Sequence, residues 1–153
     1  GQFLGAIVAQ MKNNLSELTE TVALETGKSI PDASGEVQGA ILQGEYFAGE
    51  GMRLFGQSLN SGMDGKTSHT VREPHGVAAL IVPANTPIAN IAWKVFPALI
   101  CGNTVILKSS EDAPNTANLF AKLTSELCSP VAGLNTFPLL LDVPFSIFPS
   151  TKC

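Results

Sequence analysis

The stretch VAALIVPANTPIANIAWKVFPALICGNTVILK, residues 77–108, decides the fold. It opens with a continuous apolar run, residues 77–82, bounded by Gly76 and Pro83. Such a run between a Gly and a Pro is the pattern of a strand buried on both faces of a parallel sheet. Pro83 to Pro87 breaks it, and residues 88–100 read as a helix. Gly102-Asn103 is a turn, and residues 104–108 form a second buried strand. Residues 114–127 predict another helix, with Leu119, Phe120, Leu123 and Leu127 on one side. Strand, helix, strand, helix in this order predicts a right-handed βαβ unit of an open parallel sheet.

Working upstream, the chain reads as helix to about residue 60. Phe3, Leu4, Ile7, Val8 and Met11 recur at helical spacing. Asn14 has the character of an N-cap, with Glu17 three residues on as its reciprocal partner. Leu15, Leu18, Val22 and Leu24 then extend an apolar face to Gly27, a C-terminal stop. Pro31 opens a third helix at its first turn, where a missing N–H costs nothing. It is expected to pass Val37, Ile41, Tyr46, Phe47, Met52 and Leu54 and to end at Gly56. Asp32 and Glu36 near its start and Arg53 near its end suit the helix dipole.

Residues 57–66 are a polar, Gly-rich connection, and residues 67–72 have strand character. Downstream, residues 129–153 hold four prolines among large apolar residues, with only Asp142 and Lys152 charged. Residues 139–143 are a candidate third strand, and FSIFPSTKC beyond them carries no periodic pattern. The chain thus divides into a helical segment, 1–60, a connecting strand with a βαβα core, 61–128, and an atypical Pro-rich tail, 129–153. The expected fold class is α/β: N-terminal helices followed by part of an open, Rossmann-like parallel sheet, truncated.

Composition sets further bounds. The 153 residues suit one ordinary domain with a sizeable core. Hydrophobic residues at 44% against charged residues at 14% exclude a disordered, solvating chain and suggest surface that something else covers. A net charge of −4 without a Lys/Arg cluster argues against nucleic acid or an anionic membrane as partner. No apolar stretch reaches the roughly 18 residues of a membrane span. The start at Gly1-Gln2-Phe3, with neither initiator Met nor basic-then-apolar leader, reads as a segment of a longer chain. Three cysteines without CxxC spacing predict neither a disulfide framework nor a metal site, and a cytoplasmic location is the default.

Ligands of a parallel α/β sheet bind beyond the carboxyl ends of its strands. Two such ends occur here: residues 82–87 and residues 108–111, each leading into a helix. Both present polar groups at a helix start, a natural place for an anionic or hydroxyl-rich ligand. Lys108 and Glu111 could grip a diol, the ammonium donating and the carboxylate accepting. A Lys and a Glu at a helix start are nonetheless more often a solvated cap, and Asn85 near two prolines suits a bend. No G-x-G-x-x-G is present, so the residues alone leave a nucleotide site open.

Taken together, REPHGVAALIVPANTP from Arg72, AWK from Ala92 and FPALICGNTVILKSSE from Phe96 to Glu111 closely resemble the aldehyde dehydrogenase superfamily. Its members read R-x-P-x-G-V, P-W-N-x-P, W-K, P-A-L-x-x-G-N and K-P-S-E in this order, and such linkage is far more specific than a single motif. Upstream, L-E-T-G-K at residues 24–28, the G-E-x-x-G that starts at Gly35 and Y-x-A-G-E at residues 46–50 resemble the family's N-terminal helices. The resemblance covers residues 1–127.

It implies an oxidoreductase that converts an aldehyde to a carboxylate with NAD, NADP being the less expected cofactor. Asn85 matches the Asn whose amide helps form the oxyanion hole. Ile81, Val82, Pro83 and Ala84 match the residues lining the nicotinamide-ribose and pyrophosphate side of the cleft. Lys108 and Glu111, flanking Ser109 and Ser110, match the pair that holds the adenosine ribose hydroxyls, and Glu111 would repel a 2′-phosphate. Lys94 matches a Lys near the active site associated with proton handling; the plainer reading is a solvated helix charge. The resemblance also implies a homodimer or homotetramer, with residues 67–73 near the subunit contact.

Three departures bear on these roles. Ala84 and Thr86 stand where the family has a Trp and often a Phe, which alters the pocket. Ser109 replaces Pro, which relaxes the loop but keeps both gripping groups. After residue 127 the family pattern is not continued. The family's nucleophilic Cys and general-base Glu lie in a second domain, so this chain is expected to be inactive alone. Cys101 reads as a small buried hydrophobe, and His69 and His75 receive no role. The competing reading is a catalytically inactive truncated remnant, acting at most as a weak nucleotide-binding or subunit-pairing fragment.

Overall fold

In the computed structural model, residues 1–125, Leu127 and the backbone of residues 145–148 are described. Three helices come first: α1 (Gln2–Asn13), α2 (Leu15–Thr26) and α3 (Ile30–Glu50). Leu4, Ile7, Val8 and Met11 form the buried stripe of α1, as their spacing requires. Gly27 ends α2 in the left-handed conformation, φ +71°, with its N–H on the Ala23 carbonyl. Pro31 lies in the first turn of α3, where Ser29 Oγ caps the Asp32 N–H.

Several local expectations fail for identifiable reasons. The Asn14 side chain does not cap α2; its Nδ2 donates back to the Gln10 carbonyl at 2.8 Å and so closes α1 instead. Leu24 is exposed rather than part of the apolar face. The third helix stops at Glu50, not Gly56, because glycines at 49 and 51 weaken it and the Glu50 carbonyl turns to accept from the Arg53 N–H. Arg53 therefore lies beyond the helix, paired with Glu50 at 2.8 Å, and Tyr46 and Met52 face solvent. Residues 58–60 are not helical. They form β1 (Ser58–Asn60), an antiparallel hairpin with β2 (Thr67–His69), shorter than the expected strand at 67–72.

The core unit follows the expected order: β3 (Val77–Ile81), α4 (Pro87–Ile100), β4 (Thr104–Lys108) and α5 (Pro114–Ser125). β3 and β4 pair in parallel, with Val77 opposite Thr104 and Ile81 opposite Lys108. Gly102 makes the turn before β4 at φ +85°, a conformation that favours Gly. A further strand, β5 (Phe145–Phe148), adds antiparallel to the other side of β4, so the sheet order is β3-β4-β5 and the sheet is mixed. The sequence offered no period there. The candidate strand at 139–143 lies outside the described residues.

The core lies between the N-terminal helices and the sheet. Leu18, Val22, Val37, Ile91, Val95, Phe96, Leu107 and Phe120 belong to one continuous buried cluster. α4 packs against α3 on one side and the strands on the other. The rings of Phe96 and Phe120 meet edge to face at 6.2 Å. Gly44 is where α3 comes closest: a Cβ there would lie 2.5 Å from Val8 Cγ2 and 2.9 Å from the Phe96 ring. β3 is not buried on both faces. Leu80 packs on the core, whereas Val77 and Ile81 remain 64% and 66% exposed. Cys101 is exposed too, because it caps the C-terminus of α4 where the chain turns out of the core.

Candidate functional site

The parallel register brings the two candidate loops together. Ile81 and Lys108 are cross-strand partners at the carboxyl ends of β3 and β4, and the Val82 N–H donates to the Lys108 carbonyl at 3.0 Å. Val82 is buried, Pro83 and Asn85 are exposed, and Ala84 is half-buried. Lys108, Ser109 and Ser110 are half-buried, and Glu111 faces solvent. Lys108 Nζ donates to the Ser109 carbonyl at 3.0 Å, which folds the ammonium over its own loop. Among the described residues Lys108 and Glu111 make no ion pair, so both charges are available to a third group. Lys94 is not a free helix charge: its Nζ donates to the Ile81 carbonyl and ties α4 to the end of β3.

Asn85 is held from two directions. Its backbone carbonyl accepts from Lys28 Nζ at 2.7 Å, and its Oδ1 accepts from Asn90 Nδ2 at 3.3 Å. Asn90, one turn into α4 and only 9% exposed, also donates to Thr86 Oγ1 at 2.7 Å and to the Thr86 carbonyl at 2.9 Å. With its oxygen engaged, the Asn85 amide keeps N–H donors that have no acceptor among the described residues.

Carboxylates from the N-terminal helices already occupy both helix starts. Pro87 brings no N–H to α4, and the next two, on Ile88 and Ala89, donate to Glu36 Oε1 at 3.0 and 3.2 Å. Glu36 is in turn paired with Lys28 Nζ at 2.5 Å, its side chain only 6% exposed. α5 repeats the arrangement: Pro114 comes first, and Glu25 receives the N–H groups of Asn115 and Thr116 at 2.5 and 2.8 Å and the Thr116 hydroxyl at 2.6 Å. A carboxylate at a helix N-terminus satisfies orphan donors and opposes the helix dipole. The first N–H groups of both helices are therefore engaged inside the protein, and what the two loops offer a ligand is their side chains.

Three residues that organise the site were given no role by the sequence, Glu25, Lys28 and Asn90, and a fourth, Glu36, was read as serving its own helix whereas it holds the start of α4. Glu25 and Lys28 lie inside the quoted L-E-T-G-K, and Glu36 inside G-E-x-x-G. Their place inside those motifs was the available signal. Asn90 gave none beyond being a polar residue on an apolar helix. No group of His, Cys, Asp or Glu suited to a metal is found among the described residues. Among the same residues, no helix is long and apolar enough to cross a membrane.

A helical layer packed on a parallel strand pair, with polar loops at one edge, defines an α/β protein of the open parallel-sheet class. Residues 1–138 match the aldehyde dehydrogenase family, and the chain belongs to that family. It is 43% identical over 131 residues to an α-ketoglutarate semialdehyde dehydrogenase of Haloferax volcanii, covering 86% of this chain and 27% of the relative. It is 39% identical over 134 residues to the α-ketoglutaric semialdehyde dehydrogenase of Bacillus subtilis, covering 88% and 26%. Among solved structures, a double mutant of betaine aldehyde dehydrogenase from Staphylococcus aureus in complex with NAD+ superposes with a TM-score of 0.82 at 30% identity, covering 85% and 26%. The chain therefore spans about a quarter of the length of the relatives it matches.

Proposed function

We propose that residues 1–127 supply the cofactor-binding half-site and one oxyanion donor of an NAD-dependent aldehyde dehydrogenase, which oxidises an aldehyde to a carboxylate. The observation that carries this reading is the shared edge of Ile81 and Lys108, which sets the Asn85 loop beside the Lys108–Glu111 loop. The segment divides into the helices α1 to α3 that brace the site, the β1–β2 hairpin, and the β3–α4–β4–α5 core.

The residues present fit a dinucleotide in part. Lys108 and Glu111, unpaired with each other, suit the hydroxyls of a ribose, donor on one side and acceptor on the other. The exposed carboxylate of Glu111 disfavours a 2′-phosphate, which supports NAD over NADP. The exposed side of Ile81, with Val82, Pro83 and Ala84 following, gives an apolar wall toward the reacting end. Neither α4 nor α5 offers free N–H groups to the phosphates, because Glu36 and Glu25 hold them. When bound, NAD accepts the hydride that leaves the aldehyde carbon.

Asn85 donates from Nδ2 to the aldehyde oxygen as a thiol adds and negative charge develops there. Such a donor must be fixed before the charge appears, and losing one costs about 3 kcal/mol of barrier. Lys94, tethered to the Ile81 carbonyl, fixes the loop's origin. The thiol and the general base come from outside residues 1–127. The exposed β1–β2 hairpin supports pairing of subunits through that arm.

The test is calorimetric NAD binding by a full-length polypeptide in which residues 1–127 continue into the rest of the enzyme. The paired substitution Lys108→Ala with Glu111→Ala should weaken binding at least about tenfold, roughly the loss of one charge-assisted hydrogen bond. Unchanged affinity would remove the assignment.

A further inference from the structure

We propose that Asn90 is a positioning residue that sets the orientation of the Asn85 carboxamide, on the reading above that Asn85 is the oxyanion donor. An exposed Asn side chain by itself is free to turn, and half of its orientations present the oxygen where the donor is needed. In this protein Asn85 Oδ1 faces Asn90 Nδ2 at 3.3 Å, so Nδ2 of Asn85 is the group left to point away.

Asn90 is itself fixed. It is 9% exposed on α4, and the two N–H groups of its amide serve three acceptors: the Thr86 hydroxyl at 2.7 Å, the Thr86 carbonyl at 2.9 Å and, sharing one of those N–H groups, Asn85 Oδ1 at 3.3 Å. Those acceptors leave Asn90 no reason to rotate: turned over, it would bring its own oxygen against the Thr86 carbonyl. Thr86 stands where the resembling family often has a Phe, so the hydroxyl that locks Asn90 belongs to this chain's version of the loop. Lys28, paired with the buried Glu36, holds the Asn85 backbone carbonyl and removes the remaining freedom of the loop. Asn90 never touches the substrate; it acts through Asn85.

The experiment uses the full-length enzyme carrying this segment, with steady-state aldehyde oxidation, NAD binding and thermal melting measured for Asn85→Ala, Asn90→Asp, Asn90→Leu and the double variant Asn85→Ala/Asn90→Asp. A carboxylate at position 90 only accepts, so Asn85 turns to donate to it and shows its oxygen to the substrate. Asn90→Asp should lower kcat by roughly 100-fold, as Asn85→Ala does. Asn90→Leu, which merely frees Asn85, should lower it less. KM for the aldehyde and the affinity for NAD should stay within about twofold of the parent. The double variant should be no slower than Asn85→Ala, because two groups acting as one unit are not additive. If Asn85→Ala slows the enzyme but Asn90→Asp and Asn90→Leu do not, or if the losses multiply in the double variant, Asn90 has no such role. If Asn85→Ala itself leaves kcat unchanged, the donor reading falls and this one with it. Should Asn90→Asp fail to melt cooperatively, Asn90→Leu and its combination with Asn85→Ala carry the same comparison.

Discussion

Ile81 stands opposite Lys108 in the parallel pairing of β3 with β4, so the loop bearing Asn85 and the loop bearing Glu111 leave the sheet from adjacent positions. Everything else described at the site braces these two loops from behind. Glu36 holds the start of α4, Glu25 the start of α5, and Lys28 the carbonyl of Asn85. The helical layer is thus part of the site's construction.

Removing Lys28 should be costly. Lys28→Met strands the nearly buried Glu36 carboxylate and frees the Asn85 carbonyl. Breaking one side of such a pair destabilises by about 3 kcal/mol, the helix N–H groups on Glu36 holding the loss to the lower end of the range. Denaturant unfolding should show a lower midpoint, and adding Glu36→Gln to Lys28→Met should recover part of it. A double variant less stable than Lys28→Met would contradict the brace.

Glu25 tests the second helix start. Glu25→Ala leaves the N–H groups of Asn115 and Thr116 and the Thr116 hydroxyl without their acceptor. The expected loss is about 2 kcal/mol, with faster amide exchange confined to the first turn of α5. Exchange spread evenly over the chain would argue against a local cap.

Gly44 tests the packing of α3. A methyl there would meet Val8 and Phe96 at less than contact distance, and both neighbours are buried. Gly44→Ala should destabilise by roughly 1–3 kcal/mol despite the better helix propensity of Ala. A gain in melting temperature would mean that α3 and α4 sit further apart than described.

Exposure makes two surface predictions about the 153-residue chain. Cys101 should be alkylated by a maleimide under native conditions, with the modified peptide identified by mass spectrometry. The uncovered face of β3 should drive self-association, so Ile81→Lys should shift sedimentation toward smaller species. An unreactive Cys101, or sedimentation indifferent to residue 81, would show that something covers these positions.

Much of the fold is legible in the sequence. The run from Val77 to Val82, the Pro-led helix after it and the Gly102 turn are local devices, each with a physical signature that survives in one dimension. Boundaries were harder where competing local bonds decide them. Asn14 had two uses for its amide and took the upstream one, and α3 yielded at its glycines. β5 was invisible because an antiparallel edge strand is made by its partner's free N–H and C=O groups, not by its own pattern.

By itself, the sequence determined the βαβα order, the apolar stripes and the linked motifs that the family match bears out. Only the tertiary structure decided what Glu25, Lys28, Glu36 and Asn90 do. Their partners lie in other elements or, for Asn90, in a loop bond whose direction no spacing specifies. The tertiary structure also decided which groups receive the N–H donors of the two helix starts. An orphan N–H group accepts whichever carboxylate folding delivers, and here folding delivers one from the protein's own N-terminal helices.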